Sequence, residues 1–150
     1  MKKFYTFILM STICITTYSQ ESMEKVMEKR AREMHRVISV TDREQWKKFI
    51  KENYTQALID KPMRASVKGG PDATPASSDV KASDNLEAKV KMFERLHNDF
   101  GASKIASIKS EGETLKMSLE NSVGMSGTFQ LKFDKNKPYL IDGVGIQAEN

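Results

Sequence analysis

The sequence contains few of the residues that most often carry chemistry: of its 150 residues, one is cysteine, two are histidine and one is tryptophan. A single cysteine excludes a disulfide framework. The two histidines, His35 and His97, are too far apart in sequence to form a metal-binding motif. With 39% hydrophobic residues, the composition is that of one globular domain. We therefore expect neither a metal site nor a bound cofactor.

Nucleotide-binding and nucleophile motifs are also lacking. Residues 143–148 match G-x-G-x-x-A, but the dinucleotide fingerprint requires a helix after the glycines, and only Glu149 and Asn150 follow. No serine lies in a nucleophile-elbow sequence. The sequence therefore gives no indication of a nucleotide site or of a serine hydrolase.

The first nineteen residues have the pattern of a secretory signal peptide. Lys2 and Lys3 form a basic start, residues 4–15 are mostly apolar, and small residues precede a cleavage point after Ser19. The apolar run is short for a membrane span, although an uncleaved anchor is the alternative. We predict a secreted or periplasmic protein in which residues 20–150 form one domain without a stable membrane span.

Cys14 lies inside this segment, and Ile13 before it does not fit a lipoprotein signal, which needs a small residue there. Cleavage after Ser19 leaves 131 of the 150 residues and removes the only cysteine. A chain without thiols suits an oxidising compartment. Loss of Lys2 and Lys3 lowers the net charge from +4 to +2, so we expect no nucleic-acid binding.

Apolar residues at spacings of three and four predict helices in the first part of the domain. The three main helices span residues 21–38, 42–54 and 85–100. Thr41 with Glu44 matches a capping box before the second helix, and Asp84 with Glu87 matches another before the third. A short further turn is predicted over residues 57–59.

Residues 62–84 carry almost no apolar side chains and are rich in glycine, proline, serine and aspartate. Such a segment cannot bury enough surface to offset the entropy of ordering it. We predict a flexible loop of about twenty residues. No aromatic residue or paired charge in it indicates a lid, so an insertion is the better interpretation.

After Gly101 the pattern changes to alternation of apolar and polar residues, which predicts strands. The four predicted strands cover residues 105–108, 115–119, 129–133 and 139–147. Alternation indicates one buried and one exposed face, as in an antiparallel meander. We therefore predict an α+β fold with N-terminal helices packed on a curved four-stranded antiparallel sheet.

Asp142 is the polar residue that most needs an explanation. Regular alternation along the last strand places it on the same face as Leu140, Val144 and Ile146, where a carboxylate needs donors, neutralisation or a pocket. In a cavity its pKa would be raised and it could act in catalysis. The alternative is a bulge at Asp142 and Gly143, which turns the carboxylate outward.

Two more residues are pocket candidates. His97 lies on the apolar stripe of the third helix near Phe93, and it is either an acid–base group in a pocket or a histidine hydrogen-bonded at the domain edge. Tyr54 lies one turn after Ile50, on the apolar side of the second helix. Asp142, Tyr54 and His97 are therefore the candidate site residues.

Three segments, residues 46–54, 92–101 and 138–147, together resemble the small exported domain that precedes serine hydrolase (beta-lactamase-like) or tail-processing-protease-like domains in bacteria. The order of elements is similar to the NTF2-like cone (nuclear transport factor 2-like, ketosteroid-isomerase-like) and to the cystatin-like cone. The resemblance covers residues 41–148 apart from the loop. It implies an accessory domain with no catalytic residues to assign.

Ketosteroid isomerase uses a pocket aspartate as a base, with a tyrosine and a protonated aspartate as oxyanion donors. Tyr54 and Asp142 are the residues that such a pocket would use here. Three hypotheses remain: a non-catalytic domain that binds a small apolar ligand or a protein partner, an interaction module or homodimer, and an isomerase- or hydratase-type enzyme. A filled cone would argue against both pocket functions, and an exposed apolar patch would favour the interaction module.

Overall fold

The structure, a computed structural model, describes residues 22–62, 82–121 and 126–149. Within these residues the elements are, in chain order, α1 (Met23–Ile38), α2 (Arg43–Asn53), α3 (Gln56–Asp60), α4 (Ala82–Phe100), β1 (Lys104–Glu111), β2 (Thr114–Glu120), β3 (Ser126–Phe133) and β4 (Ile141–Glu149). The predicted signal peptide and most of the predicted loop lie outside the described residues.

The strands form one antiparallel sheet in the order β1-β2-β3-β4, so each strand pairs with the next along the chain. The alternation in the sequence corresponds to the two faces of this sheet. Met117 pairs with Phe129 on the buried face, and Lys116 pairs with Gln130 on the exposed face. The predicted α+β fold, with helices packed on a four-stranded antiparallel meander, is confirmed.

The helices cover the buried face of the sheet, and side chains fill the space between the two layers. α1 contacts β1 and β2, α3 contacts β4, and Phe100 of α4 packs edge-on against Phe129 of β3 with ring centroids 5.3 Å apart. The largest fully buried side chains are Phe93, Phe129, Phe133, Met27, Met34, Ile38, Ile50, Leu115, Met117, Leu119, Leu131 and Ile141. In the described residues the centre of the fold is therefore a packed core and not an open cone, which argues against a ligand site inside the cone but not against one at its edge.

The N-cap of α2 differs from the predicted one. Asp42 occupies this position, and its carboxylate accepts hydrogen bonds from the backbone N–H of Glu44 (3.0 Å) and of Gln45 (3.1 Å). The Gln45 side chain donates back to Asp42 (2.8 Å). The prediction that Thr41 and Glu44 form the capping box is wrong, because the Asp42 carboxylate reaches these N–H groups and the Thr41 hydroxyl bonds to His97.

α4 begins at Ala82, three residues before the predicted start, so Asp84 lies within its first turn. A carboxylate in the first turn is favourable because the N-terminal end of a helix carries partial positive charge. The predictions that Asp84 caps this helix and that residues 82–84 belong to the loop are therefore wrong.

Candidate functional site

The bulge that was one alternative for Asp142 is present in β4. Lys132 and Phe133, which are neighbours on β3, pair with Gly143 and Ile141, so Asp142 has no cross-strand partner. The extra residue changes the phase of the strand, and Ile141 is fully buried while Asp142 is exposed. The alternative that placed Asp142 on the core-facing side is therefore wrong.

Asp142 is held against the junction between α2 and α3. Thr55 donates its backbone N–H to the carbonyl of Ile141 (2.9 Å) and its hydroxyl to Oδ1 of Asp142 (2.9 Å). Tyr54 forms a parallel bridge with Ile141. This pairing brings Tyr54 and Asp142 to the same end of the sheet, although they are far apart in sequence.

Tyr54 is only 2% exposed, and its ring lies among other aromatic side chains. Its ring centroid is 6.2 Å from that of Phe49 and 6.5 Å from that of Phe93. The hydroxyl is buried and has no hydrogen-bond partner among the described residues. Burial raises the pKa of Tyr54 well above its usual value, so the hydroxyl keeps its proton and has a donor to offer to an acceptor.

Lys89 is a candidate that sequence analysis missed. It is 3% exposed, and its Nζ donates hydrogen bonds to the carbonyls of Ile59 (2.8 Å) and Lys61 (2.7 Å) at the end of α3. Burial lowers the pKa of Lys89, and attraction to Asp60 opposes this shift. The available signal was its spacing: Lys89 lies four residues before Phe93 and so on the apolar stripe of α4, where a lysine is unusual.

These side chains line a pocket of about 230 Å³ between α3, α4 and β4. The lining residues are Tyr54, Leu58, Lys61, Pro62, Lys89, Met92, Asp142, Gly143 and Val144. The volume is below the range of about 300–1,000 Å³ that is typical of drug-sized ligands. The pocket therefore suits a small molecule and is too small for a dinucleotide or a haem.

His97 lies elsewhere, at the junction of α1, α2 and α4. Its Nδ1 is 2.7 Å from the carbonyl oxygen of Ile38, and its Nε2 is 2.8 Å from the hydroxyl of Thr41. A carbonyl oxygen only accepts, so Nδ1 carries the proton. The ring also lies 6.0 Å from that of Trp46 between centroids. The structure places His97 in the hydrogen-bonded environment of the second alternative and not in the lining of the 230 Å³ pocket.

In residues 22–62, 82–121 and 126–149, no three His, Cys, Asp or Glu side chains gather as metal ligands could. The helices of the same residues include none that is long and apolar enough to cross a lipid bilayer. Comparison with models of protein families, with curated proteins and with solved structures gives no significant match. What the chain does must therefore follow from its own residues.

Proposed function

We propose that this chain is a secreted or periplasmic NTF2-like domain without catalytic activity, and that it binds a small, mostly apolar ligand in the pocket of Tyr54, Lys89 and Asp142. The observation that carries the proposal is the buried hydroxyl of Tyr54, which has no partner among the described residues. Leaving a buried hydroxyl unpaired costs about 1–3 kcal/mol. Tyr54 lines the pocket, so a ligand with a hydrogen-bond acceptor would remove this cost once small movements of the neighbouring side chains expose the hydroxyl.

The rest of the lining sets the character of the ligand. Leu58, Met92 and Val144 are partly buried apolar side chains that would contact a hydrocarbon body. The ammonium group of Lys89 already donates to two carbonyls, which satisfy most of its hydrogen-bonding capacity. Asp142 and Lys61 place opposite charges on the exposed side of the pocket, and these charges offset each other. A compact, neutral molecule with a carbonyl group fits these features.

The same contacts argue against an isomerase or a hydratase. Asp142, the candidate general base, is exposed to water and not enclosed with a bound molecule, and its Oδ1 already accepts a hydrogen bond from Thr55. Tyr54 stays protonated because burial raises its pKa. Lys89 is engaged by the carbonyls of α3 and its C-cap. Each of these three pocket groups therefore supports binding better than proton transfer.

Equilibrium binding of cyclohexanone tests the proposal, with methylenecyclohexane as a probe of similar shape that lacks an acceptor. We expect Tyr54→Phe to weaken cyclohexanone binding about three- to tenfold, which corresponds to one neutral hydrogen bond, and to leave the affinity for the hydrocarbon unchanged. Tyr139→Phe is the matched control, since Tyr139 does not line this pocket. Equal losses for both probes, or no binding of cyclohexanone, would contradict the proposal.

An interaction module or a homodimer is the alternative function. Among the described residues, Ile146 of β4 is the only large hydrophobic side chain that is exposed, at 37%. The exposed face of the sheet carries polar side chains such as Lys116, Gln130 and Lys132. Stable homodimers usually bury a broad apolar surface. These features favour a small ligand over a second copy of the chain as the binding partner.

A further inference from the structure

A second concave surface lies between α1, the end of α2 and the turn that joins β3 to β4. This surface, the Arg30 groove, has a volume of about 510 Å³ and shares no lining residue with the pocket of Tyr54. Its walls include apolar surface from Val26, Pro138 and Tyr139, together with the cations Lys29, Arg30 and Lys137. Its volume and its mixture of apolar walls with a few charged groups are typical of small-ligand sites.

Arg30 is fixed in position by neutral groups from two other parts of the chain. Its Nη1 donates a hydrogen bond to the side-chain oxygen of Asn53, and its Nη2 donates to the carbonyl of Pro138 (3.0 Å). These bonds hold the half-buried guanidinium against the end of α2 and the β3–β4 turn. Nη1 and Nη2 each carry a second proton, so the planar group retains donors for a ligand.

The charge of Arg30 has no counterion among the described residues. Arg30 forms no ion pair with them. Glu33, the acid in the groove lining, is bound by Arg36 through two hydrogen bonds of 2.9 and 2.7 Å. The hydrogen bond from Arg36 lowers the pKa of Glu33, which favours the charged and paired form of that carboxylate.

Burial also affects Arg30 directly. It lowers the pKa of the guanidinium, and the Nε–H is buried without an acceptor among the described residues. Taking a cation out of water is costly unless an anion offsets the loss of hydration. Arg30 therefore pays a desolvation cost that an anionic ligand in the groove would offset.

We propose that the Arg30 groove binds an organic carboxylate with an apolar body. A carboxylate matches the planar donors of a guanidinium, and Lys29 and Lys137 add positive potential at the same site. Val26, Pro138 and Tyr139 supply surface for the apolar part. The carboxylate belongs either to a free organic acid or to the C-terminus of a polypeptide, since both present the same group.

Binding of 3-phenylpropionate, compared with the neutral 3-phenylpropionamide, tests this proposal. We expect the acid to bind at least about tenfold more tightly, as for a hydrogen bond to a charged group, and the difference to shrink as salt screens the charges. Arg30→Gln should abolish the preference for the acid. Tighter binding of an acetylated dipeptide that ends in phenylalanine would assign the carboxylate to a polypeptide C-terminus, and weaker binding would assign it to a free acid.

Arg30 also joins α1 to the end of α2 and to the β3–β4 turn, so its replacement affects the stability of the fold as well as the groove. A second variant therefore tests the groove with Arg30 in place. The double variant Lys29→Gln and Lys137→Gln should weaken binding of the acid about two- to tenfold. Lys25→Gln with Lys135→Gln is the matched control, because both lysines are exposed and neither lines the groove. Equal binding of acid and amide, equal effects of the two double variants, or no binding of the acid would overturn the proposal.

Discussion

At the scale of single residues, the hydroxyl of Tyr54 has the clearest energetic consequence. It is buried without a partner among the described residues, so its removal should break no hydrogen bond. We expect Tyr54→Phe to leave the free energy of unfolding unchanged or to raise it by about 1 kcal/mol, as measured by urea denaturation without ligand. A loss of more than about 1 kcal/mol would show that the hydroxyl is paired in solution.

Gly127 is required by its closeness to an aromatic ring. A Cβ at this position would lie 2.6 Å from Cε1 and Cζ of Phe100, and that ring is itself buried against Phe129. We expect Gly127→Ala to lower the free energy of unfolding by about 1–3 kcal/mol, the usual cost of overpacking. Gly145→Ala is the control, since its nearest neighbour would be 3.8 Å away. Equal stability of the two variants would show that the Phe100 ring moves without cost.

The sequence narrows the orientation of Asp142 to two alternatives and cannot choose between them. Alternation along the strand points Asp142 toward the core, and the following Gly143 indicates a bulge. The pairing of Ile141 with Phe133 decides between the two orientations. An inserted residue moves every side chain on one side of the insertion to the opposite face of the sheet. That pairing depends on the neighbouring strand and not on the residues of β4 alone.

At the scale of elements, α3 is fixed by side chains from α4. Lys89 donates to the carbonyls of Ile59 and Lys61, and Asn85 donates to the carbonyl of Asp60 (2.7 Å). An isolated helix of five residues is unstable in water because ordering its first turn costs more free energy than its few hydrogen bonds contribute. The bonds from α4 therefore hold the α3 wall of the candidate pocket in place.

The buried ammonium group of Lys89 makes stability depend on pH. Burial lowers the pKa of Lys89 in the folded chain below the usual 10.5, which applies to the unfolded chain. At a pH between the folded-state pKa and 10.5, the unfolded chain therefore binds more protons than the folded chain. The free energy of unfolding therefore rises with pH in this interval. We expect the stability of the wild type relative to Lys89→Met to increase from neutral pH toward 10.5, measured by chemical denaturation at each pH. A constant or falling difference would contradict burial of the charged amine.

The elements are largely predictable from the sequence, but their starts are less so. Strand β2 spans Thr114–Glu120, and the alternation of apolar and polar residues predicts 115–119. The agreement is close because every second side chain of a strand points to the same face of the sheet. The start of α2 depends on whether Thr41 or Asp42 reaches the first free N–H groups. Both are good capping residues, so the sequence pattern allows either, and the geometry of the preceding loop decides.

At the scale of the whole molecule, residues 1–19 determine the proposed location, and they lie outside the described residues. We expect residues 1–150, expressed in a Gram-negative bacterium, to be recovered from the periplasm or the medium as a protein that begins at Gln20. N-terminal sequencing and intact mass measure this directly. A chain that begins at Met1 and remains in the membrane fraction would instead support an uncleaved anchor.

The two candidate sites show why binding sites are harder to predict from sequence than folds. Tyr54 and Asp142 stand out in their own segments, but their approach depends on the pairing of Thr55 with Ile141. Lys89 and Arg30 belong to no sequence motif. They are candidate binding residues because they are removed from water and bond to residues distant in sequence. Tertiary contacts of this kind leave only a weak trace in the sequence, such as a cation on an apolar stripe.

The most direct test of the binding proposal is methyl-resolved NMR of residues 20–150 during titration with cyclohexanone. The methyl groups of Leu58, Met92 and Val144 report on the proposed pocket, and those of Val26 report on the Arg30 groove. The proposal predicts that the methyl chemical shifts of Leu58, Met92 and Val144 change until the pocket is saturated, while those of Val26 stay constant. In Tyr54→Phe, saturation should require a higher concentration of cyclohexanone. Absence of saturable shifts at Leu58, Met92 and Val144, or equal shifts at Val26, would contradict it.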